Sequence, residues 1–382
     1  MSESLVCWSF PTTIVFGAGA VRVVGDHVKR ASATRALVVC DAGVVKVGIA
    51  ERVRALLEEA GIAAALFADV DPNPVEKNVV DGVAAYKAHG AGAIVSVGGG
   101  SPLDAAKLIA LKITHDRPLV DYDDATGGDR FIGPNVPPIV AIPTTAGTGS
   151  EVGRSGVVTL AATGRKTVIF SPHLLARAAL LDPELTRSMP ARVTAATGFD
   201  ALTHCLEAYC ALGDHPMADG IALVGLELCA AHLAQAVAHG DDLAARGGMM
   251  KAAMMGAVAF QKGLGACHSL AHPLSSEKGM HHGLANALCL PAVVDFNEAA
   301  VHGKLERIRT LLAGVTPGAK SCAEALRTLR AQLGLPSGLG AEGVAEADIP
   351  RLADKAYQDA CHRSSPRPLS RDDLAALYRA CL

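Results

Sequence analysis

Three consecutive glycines, Gly98 to Gly100, follow directly on the apolar run Ala91 to Val97 and lead through Ser101 and Pro102 into a segment at helical spacing. This junction constrains the fold most. Glycines let a phosphate approach the backbone, and the N-terminus of the helix supplies free N–H groups and the positive end of its dipole. The alternative is a glycine-rich turn with Ser101 as an ordinary N-cap.

The same order of strand, turn and helix recurs through the first half. Ala36 to Cys40, Ala91 to Val97 and Pro138 to Ile142 read as buried parallel strands, and Val47 to Ala60, Val75 to His89 and Pro102 to Ile113 as the helices that follow. This alternation predicts a doubly wound (Rossmann-like) α/β sheet. From about Pro190 the β-branched runs stop, and Ala, Leu, Met and Glu fill Ala195 to Ala211, Met217 to His239 and Leu243 to Phe260, so the second half is predicted to be all-helical. The prolines after Asp182 and Met189 interrupt any helix there. The expected domains are 1–187, the dinucleotide-binding α/β part, and 188–382, the helical part carrying metal and substrate.

Composition removes several classes of function. With 35 Lys+Arg against 38 Asp+Glu and no basic block, the chain lacks the footprint that nucleic-acid binding needs. Met1 to Ser9 do not form a secretory signal, and no uninterrupted apolar run approaches membrane-spanning length, so no membrane partner is expected. The ten cysteines are scattered, mostly in apolar runs and without a CxxC pair, which suits reduced thiols and a cytoplasmic location.

A second loop, Pro143 to Glu151, also follows a buried strand and offers hydroxyls and glycines for a nucleotide cleft, or a simple strand-to-helix connection. Phe16 to Arg22 begins like a GxGxxG fingerprint but has Arg22 at the third glycine position, and is discounted. Asp41, at the end of the strand Leu37 to Cys40, is placed to hydrogen-bond an adenosine ribose and repel a 2′-phosphate, favouring NAD over NADP, or else to cap the next segment.

In the helical half Asp200 and His204 are four apart, so on a helix they share a face and can chelate one ion. His268 and His272 repeat that spacing, and four histidines fall between 268 and 282. Any one of them alone reads as an ordinary core or surface histidine, but jointly they point to a metal. One Asp and three His suit Fe(II) or Zn(II), and such an ion polarises a carbonyl or stabilises an alkoxide during hydride transfer.

In order and spacing these residues resemble the iron-containing (group III) alcohol dehydrogenase family. The resemblance spans nearly the whole chain and includes Gly98 to Lys107, Asp71-Pro72-Asn73-Pro74, Pro143 to Glu151, Gly198 to His204, His268 to Pro273 and His282-Gly283. It implies that Asp200, His204, His268 and His282 bind the metal. It further implies that His272 is a nearby catalytic histidine that relays protons or shapes the nicotinamide site, and that His281 is a neighbour. For NAD the matching positions are Asp41, Asn73, Gly99, Ser101, Asp104, Thr144, Thr145, Thr148 and Lys166. The implied partners are a small alcohol or aldehyde substrate and further copies of the chain, as a dimer or larger homo-oligomer.

The chain departs from the common pattern at Ser275 to Gly279, where Glu277 and Lys278 bring charge. Arg154, His362 and Arg363, together with Phe260 to Gly265, make it similar to the 4-hydroxybutyrate dehydrogenase branch, with a cationic pocket lining and an ω-hydroxy acid as substrate. The expected activity is NAD(H)-dependent oxidation of a small primary alcohol and reduction of its aldehyde. Hydroxyacid–oxoacid transhydrogenation is an alternative, and a dehydroquinate-synthase-like lyase is disfavoured by the scarcity of Lys and Arg beside the ligands.

Overall fold

The computed structural model describes residues 10, 12–162 and 164–382. Cys7 and the reading of Met1 to Ser9 as a non-secretory start lie outside the described residues. The chain forms two compact units, one of Pro11–Thr145 and Gly149–Ser188, the other holding Ala146–Thr148 and Met189–Leu382.

The first unit is built on a six-stranded, wholly parallel sheet in the order β1-β8-β5-β4-β2-β3. Its strands are β1 (Thr13–Phe16), β2 (Arg35–Val39), β3 (Ala63–Phe67), β4 (Ala93–Gly98), β5 (Ile139–Pro143) and β8 (Ala178–Leu181). The intervening helices are α1 (Val24–Arg30), α2 (Ala42–Lys46), α3 (Ile49–Glu59), α4 (Glu76–His89) and α5 (Gly100–Thr114). Side chains alternate across the strands, so Leu37, Val39 and Ile94 enter one core with α4 and α5, while Ala36, Val38, Val95 and Val97 enter another with α1 and α3. A strand buried on both faces has few polar positions to spare, which accounts for the apolar run Ala36 to Val39 of β2 and for Ser96 as the one polar side chain within β4.

From β2 the chain steps to β3 on one side, then returns across β2 to place β4 on the other. The topological switch therefore lies between β2 and β4. Because all strands are parallel, Asp41 after β2, Gly99 after β4 and Thr144 after β5 share the C-terminal edge of the sheet, where open α/β sheets take ligands.

Sequence reading did not identify β1, β3, β8 or the antiparallel hairpin β6 (Ser155–Thr159) and β7 (Lys166–Phe170). β3 is Ala-Ala-Ala-Leu-Phe, whose alanines carry little strand preference, and β1 and β8 have four residues each, too few for a period to register. The Phe16–Arg22 decoy has a structural occupant. The N–H groups of Gly19 and Val21 donate to the fully buried Asp182 carboxylate at 3.1 and 3.2 Å, so these amides are not available to a phosphate.

The second unit is helical: α6 (Ala191–Cys210), α7 (Pro216–Ala238), α8 (Leu243–Ala259), α9 (Ala266–Lys278), α10 (His282–Leu312), α11 (Cys322–Gln332), α12 (Ile349–Gln358) and α13 (Arg371–Ala380). α6 is the hub. It packs against α7, α8 and α10, and every residue from Thr194 to Cys210 is buried. A helix enclosed on all sides puts its polar side chains where water cannot pair them, so Asp200, His204 and Glu207 must be satisfied by one another, by protein groups or by an ion. α7 and α10 are long and apolar enough to cross a bilayer by length and composition. Both are packed into the bundle, α7 through Leu226, Cys229 and Leu233, α10 through Leu288, Leu290 and Val294. All described cysteines are free thiols.

Candidate active site

Three helices of the second unit converge on one point. α6 supplies Asp200 and His204 one turn apart, α9 supplies His268, and the first residue of α10 is His282. The Nε2 atoms of His204, His268 and His282 lie 3.9, 3.9 and 3.5 Å from Asp200 Oδ1. The His204 and His268 rings stack at 4.7 Å, and those of His268 and His282 lie 5.4 Å apart. The arrangement depends on Gly283. A Cβ built there would stand 2.2 Å from the backbone oxygen of Ala196, so only glycine lets α10 start close enough to α6 to bring His282 to Asp200.

These spacings suit ligands of one ion. They are too long for hydrogen bonds, whereas atoms each about 2.1 Å from a tetrahedral ion stand about 3.4 Å apart. The ligand atoms of Asp200, His204 and His268 lie within 4.8 Å of one another and all three residues are buried. Burial lowers the pKa of His204 to about 4, so its ring is neutral and ready to ligate at pH 7. Burial also pulls His268 down, but its hydrogen bond to Glu207 and the Glu207 and Asp200 charges outweigh it and leave its pKa raised.

The surrounding groups decide which ring nitrogens face inward. Glu207 accepts from Cys267 N at 2.7 Å and meets His268 Nδ1 at 2.6 Å, which assigns the proton to Nδ1 and leaves the Nε2 lone pair toward Asp200. Asn286, one turn into α10, donates from Nδ2 to Asp200 Oδ1 at 2.7 Å and lies 3.4 and 3.3 Å from Nε2 of His268 and His282. His272 stacks on His282 at 5.3 Å, and its Nδ1 meets Asp359 at 2.8 Å. Asp359 also accepts from Ser269 Oγ and Cys361 N, each at 2.8 Å. Burial would raise the Asp359 pKa, but the charge and hydrogen bond of His272, with these two donors, hold it well below the usual carboxylate range.

Glu207, Asn286 and Asp359 were given no role from the sequence. Two of them carried a signal. Glu207 is three residues after His204, and Asn286 is four after His282, both on the ligand-bearing faces. Asp359 carried none, being 87 residues from His272. The charged departure after His272 turns outward to α12: Glu277 pairs with Arg351 and Lys355, and Lys278 lies 2.7 Å from Asp348.

The remaining nominated residues lie mostly in the first unit. α5 opens on Gly99 without a side-chain cap, and Ser101, inside the first turn, donates to Pro72 O at 2.6 Å, so Ser101 is not the N-cap. Gly98 has φ +150°, and a Cβ there would strike the Pro102 ring at 2.6 Å. The first turn of α5, which no side chain caps, lies beside Asn73, exposed in the loop that Ser101 tethers. Thr144 N donates to Gly98 O at 2.9 Å, joining the two loops, with Thr145 packed on Gly99.

Asp41 does cap α2, its Oδ1 accepting from Val44 N at 2.9 Å, while the residue stays half-buried at the end of β2. Asp104 accepts from Ser150 Oγ at 2.5 Å and Val157 N at 3.3 Å, next to the buried Lys107, and it also feels the charge of Lys166 at the start of β7. Near Lys107, burial raises the pKa of Glu151 to about 7. Thr148 belongs to the second unit, where the preceding Gly147 packs on Thr197.

Residues 11–183 match the iron-containing alcohol dehydrogenase family, and residues 194–382 match the C-terminal domain of the Fe-containing alcohol dehydrogenase family. The chain is 41% identical to a 4-hydroxybutyrate dehydrogenase of Cupriavidus necator, covering 97% of both chains. It is 37% identical to an NAD-dependent methanol dehydrogenase of Bacillus methanolicus, covering 97% of this chain and 98% of the other. The crystal structure of a 1,3-propanediol oxidoreductase superposes with a TM-score of 0.95 at 38% identity, covering 99% of this chain and 100% of the other. With both halves matched and whole-chain relatives above 30% identity, the chain belongs to the iron-containing alcohol dehydrogenases, oxidoreductases of alcohols and aldehydes.

Proposed function

We propose that the protein interconverts a small ω-hydroxy acid and its semialdehyde by hydride transfer with NAD(H), using a divalent metal held by Asp200, His204, His268 and His282. The observation that carries the metal assignment is the set of three imidazole Nε2 atoms 3.5–3.9 Å from one buried carboxylate oxygen. An Fe(II) or Zn(II) ion there supplies Lewis-acid polarisation of the substrate oxygen. Glu207 fixes the His268 tautomer and Asn286 holds Asp200 Oδ1, so the ligand set is preorganised before the ion arrives. His272 has Nδ1 engaged by Asp359, which leaves Nε2 as the atom that takes the alcohol proton or returns it to the alkoxide.

For the cofactor, the first-turn amides of α5 receive the pyrophosphate, Asp41 accepts from the adenosine ribose, and Asn73, Thr144, Thr145, Asp104 and Lys166 complete the part of the site in the first unit. The NAD-dependent methanol dehydrogenase relative supports this choice. Asp41→Gly should raise the ratio of kcat/KM for NADPH over NADH by tenfold or more, at little cost in stability, because Gly at an N-cap loses only about a few tenths of a kcal/mol. An unchanged ratio removes Asp41 from the ribose role.

The carboxylate on the substrate is supported by the 41% identity to a 4-hydroxybutyrate dehydrogenase. Of the three basic side chains nominated for the pocket, His362 is buried, with its ring 5.5 Å from that of Tyr357, Arg154 is half-buried over Phe170, and Arg363 is exposed. The buried Nδ1 of His362 has no hydrogen-bond partner among the described residues, which makes this ring the one we assign to a specific contact. A charge-assisted hydrogen bond contributes about 1.5–3 kcal/mol, or roughly 10–100-fold. Succinic semialdehyde should therefore exceed butyraldehyde by at least tenfold in kcat/KM in an NADH-oxidation assay. Equal values would reduce the reading to a simple aldehyde reductase. The cytoplasm is the proposed compartment, and the exposed Met217 and Val224 on α7 support assembly into a dimer or larger homo-oligomer.

A further inference from the structure

Beside the four-residue ligand set lies a second group of metal-binding side chains. His272, Asp359 and Cys361 present an imidazole nitrogen, a carboxylate oxygen and a thiol sulfur within 4.8 Å of one another. The side chains of His272 and Asp359 are 27% and 21% exposed, and Cys361 is partly exposed, so an ion reaches them without opening the bundle. Asp359 gathers the group. One of its oxygens meets His272 Nδ1 and the other accepts from Cys361 N and Ser269 Oγ, with the Cys361 sulfur within 4.8 Å.

The donor chemistry differs from that of the first site. Asp200, His204, His268 and His282 offer oxygen and nitrogen only, whereas the second group adds sulfur, and a thiolate with imidazole and carboxylate selects zinc over iron. Ligands of one zinc stand about 3.3–3.8 Å apart, so spacings of up to 4.8 Å close by at most about 1 Å, and the 2.8 Å contact of His272 with Asp359 gives way to the ion. Three protein ligands leave a fourth position for water.

We propose that His272, Asp359 and Cys361 form a second metal site that takes Zn(II), and that filling it withdraws His272 from the reaction. On binding, the thiol proton leaves to solvent, and the imidazole keeps one proton on the ring nitrogen that does not ligate. Nothing is oxidised or reduced. The inhibitory consequence rests on the proton-relay role proposed for His272, whereas occupancy of the site does not.

The test starts from enzyme loaded anaerobically with one Fe(II) per chain and titrated with zinc chloride, measuring NADH oxidation and, after desalting, the iron and zinc content. The expected result is prompt inhibition reversed by EDTA, with one iron and one zinc per chain. Cys361→Ser keeps a polar side chain of similar size, and the backbone donor to Asp359, but is a poor zinc ligand. Its activity without zinc should stay within twofold of wild type, and it should need at least tenfold more zinc for the same inhibition. Co(II) added to the iron-loaded wild-type protein should give near-ultraviolet thiolate-to-cobalt absorption, a readout needing no variant. Zinc replacing iron with total metal unchanged would overturn the second site, as would absence of the cobalt band or equal zinc retention by Cys361→Ser. One zinc retained beside iron with undiminished activity would uphold the site and overturn the role given to His272.

Discussion

Asp200→Ala is expected to give a folded protein that retains less than a tenth of a metal ion per chain and loses activity by about a thousandfold or more. Asp200 is the point on which the site converges, since its Oδ1 is the common neighbour of three imidazole Nε2 atoms and accepts from Asn286. Without it three neutral ligands remain, and the charge that offsets a divalent ion in a buried setting is gone. Loss of Lewis-acid stabilisation removes several kcal/mol from the transition state, at about 1.4 kcal/mol per decade of rate. Folding should survive, because the substitution deletes a buried carboxylate and leaves the α6 backbone unchanged, at a cost of about 1–3 kcal/mol for the unpaired Asn286 donor. A second readout is independent of activity. Fe(II) at a hundredfold excess over its Kd should stabilise wild type by about 2.7 kcal/mol and raise its Tm by several degrees, and should leave the variant unmoved. Stoichiometric metal in the variant, with an Fe(II)-dependent rise in Tm, would remove Asp200 from the ligand set.

What the sequence revealed and what it did not divides along physical lines. Asp200 and His204 were legible because a helix puts residues four apart on one face, and His268 and His272 repeat the same spacing. Gly98 to Ser101 were legible because a positive φ and a close backbone approach are demands that few residues other than glycine meet. His282 had no such local mark. It stands first in its helix, and its position beside Asp200 is set by how α10 packs on α6, so the crowding of histidines between 268 and 282 nominated it together with His281, and only the family pattern chose between the two. Asp359 was still further from view, because its contact with His272 is made by the docking of the α12 end on α9, and tertiary contacts of that kind leave no period in the chain. β3 was lost for the converse reason: its alanines are placed in the sheet by pairing with β2, not by any preference of their own.

Two glycines on α10 should respond in opposite directions to the same change. Gly283→Ala places a methyl 2.2 Å from Ala196 O and 2.7 Å from Ala196 C, both backbone atoms that cannot rotate aside, so α10 must move away from α6. Overpacking of this kind costs about 1–3 kcal/mol. The catalytic loss should be larger than the loss in stability, because His282 is the adjacent residue and a shift of about 1 Å in a reacting or ligating group costs roughly a hundredfold. Gly303 lies in the second segment of α10, past the non-helical backbone of Val301, with nothing within 4 Å of a built Cβ, so Gly303→Ala relieves only the entropy of glycine and should stabilise by about 0.5–1 kcal/mol. Measured side by side, Gly283→Ala should show lowered Tm, reduced metal retention and kcat down by about a hundredfold, and Gly303→Ala unchanged kcat with equal or higher Tm. If Gly283→Ala kept full metal and full kcat, the close approach of α10 to α6 would not be what positions His282, and the ligand set would have to tolerate a displaced fourth member.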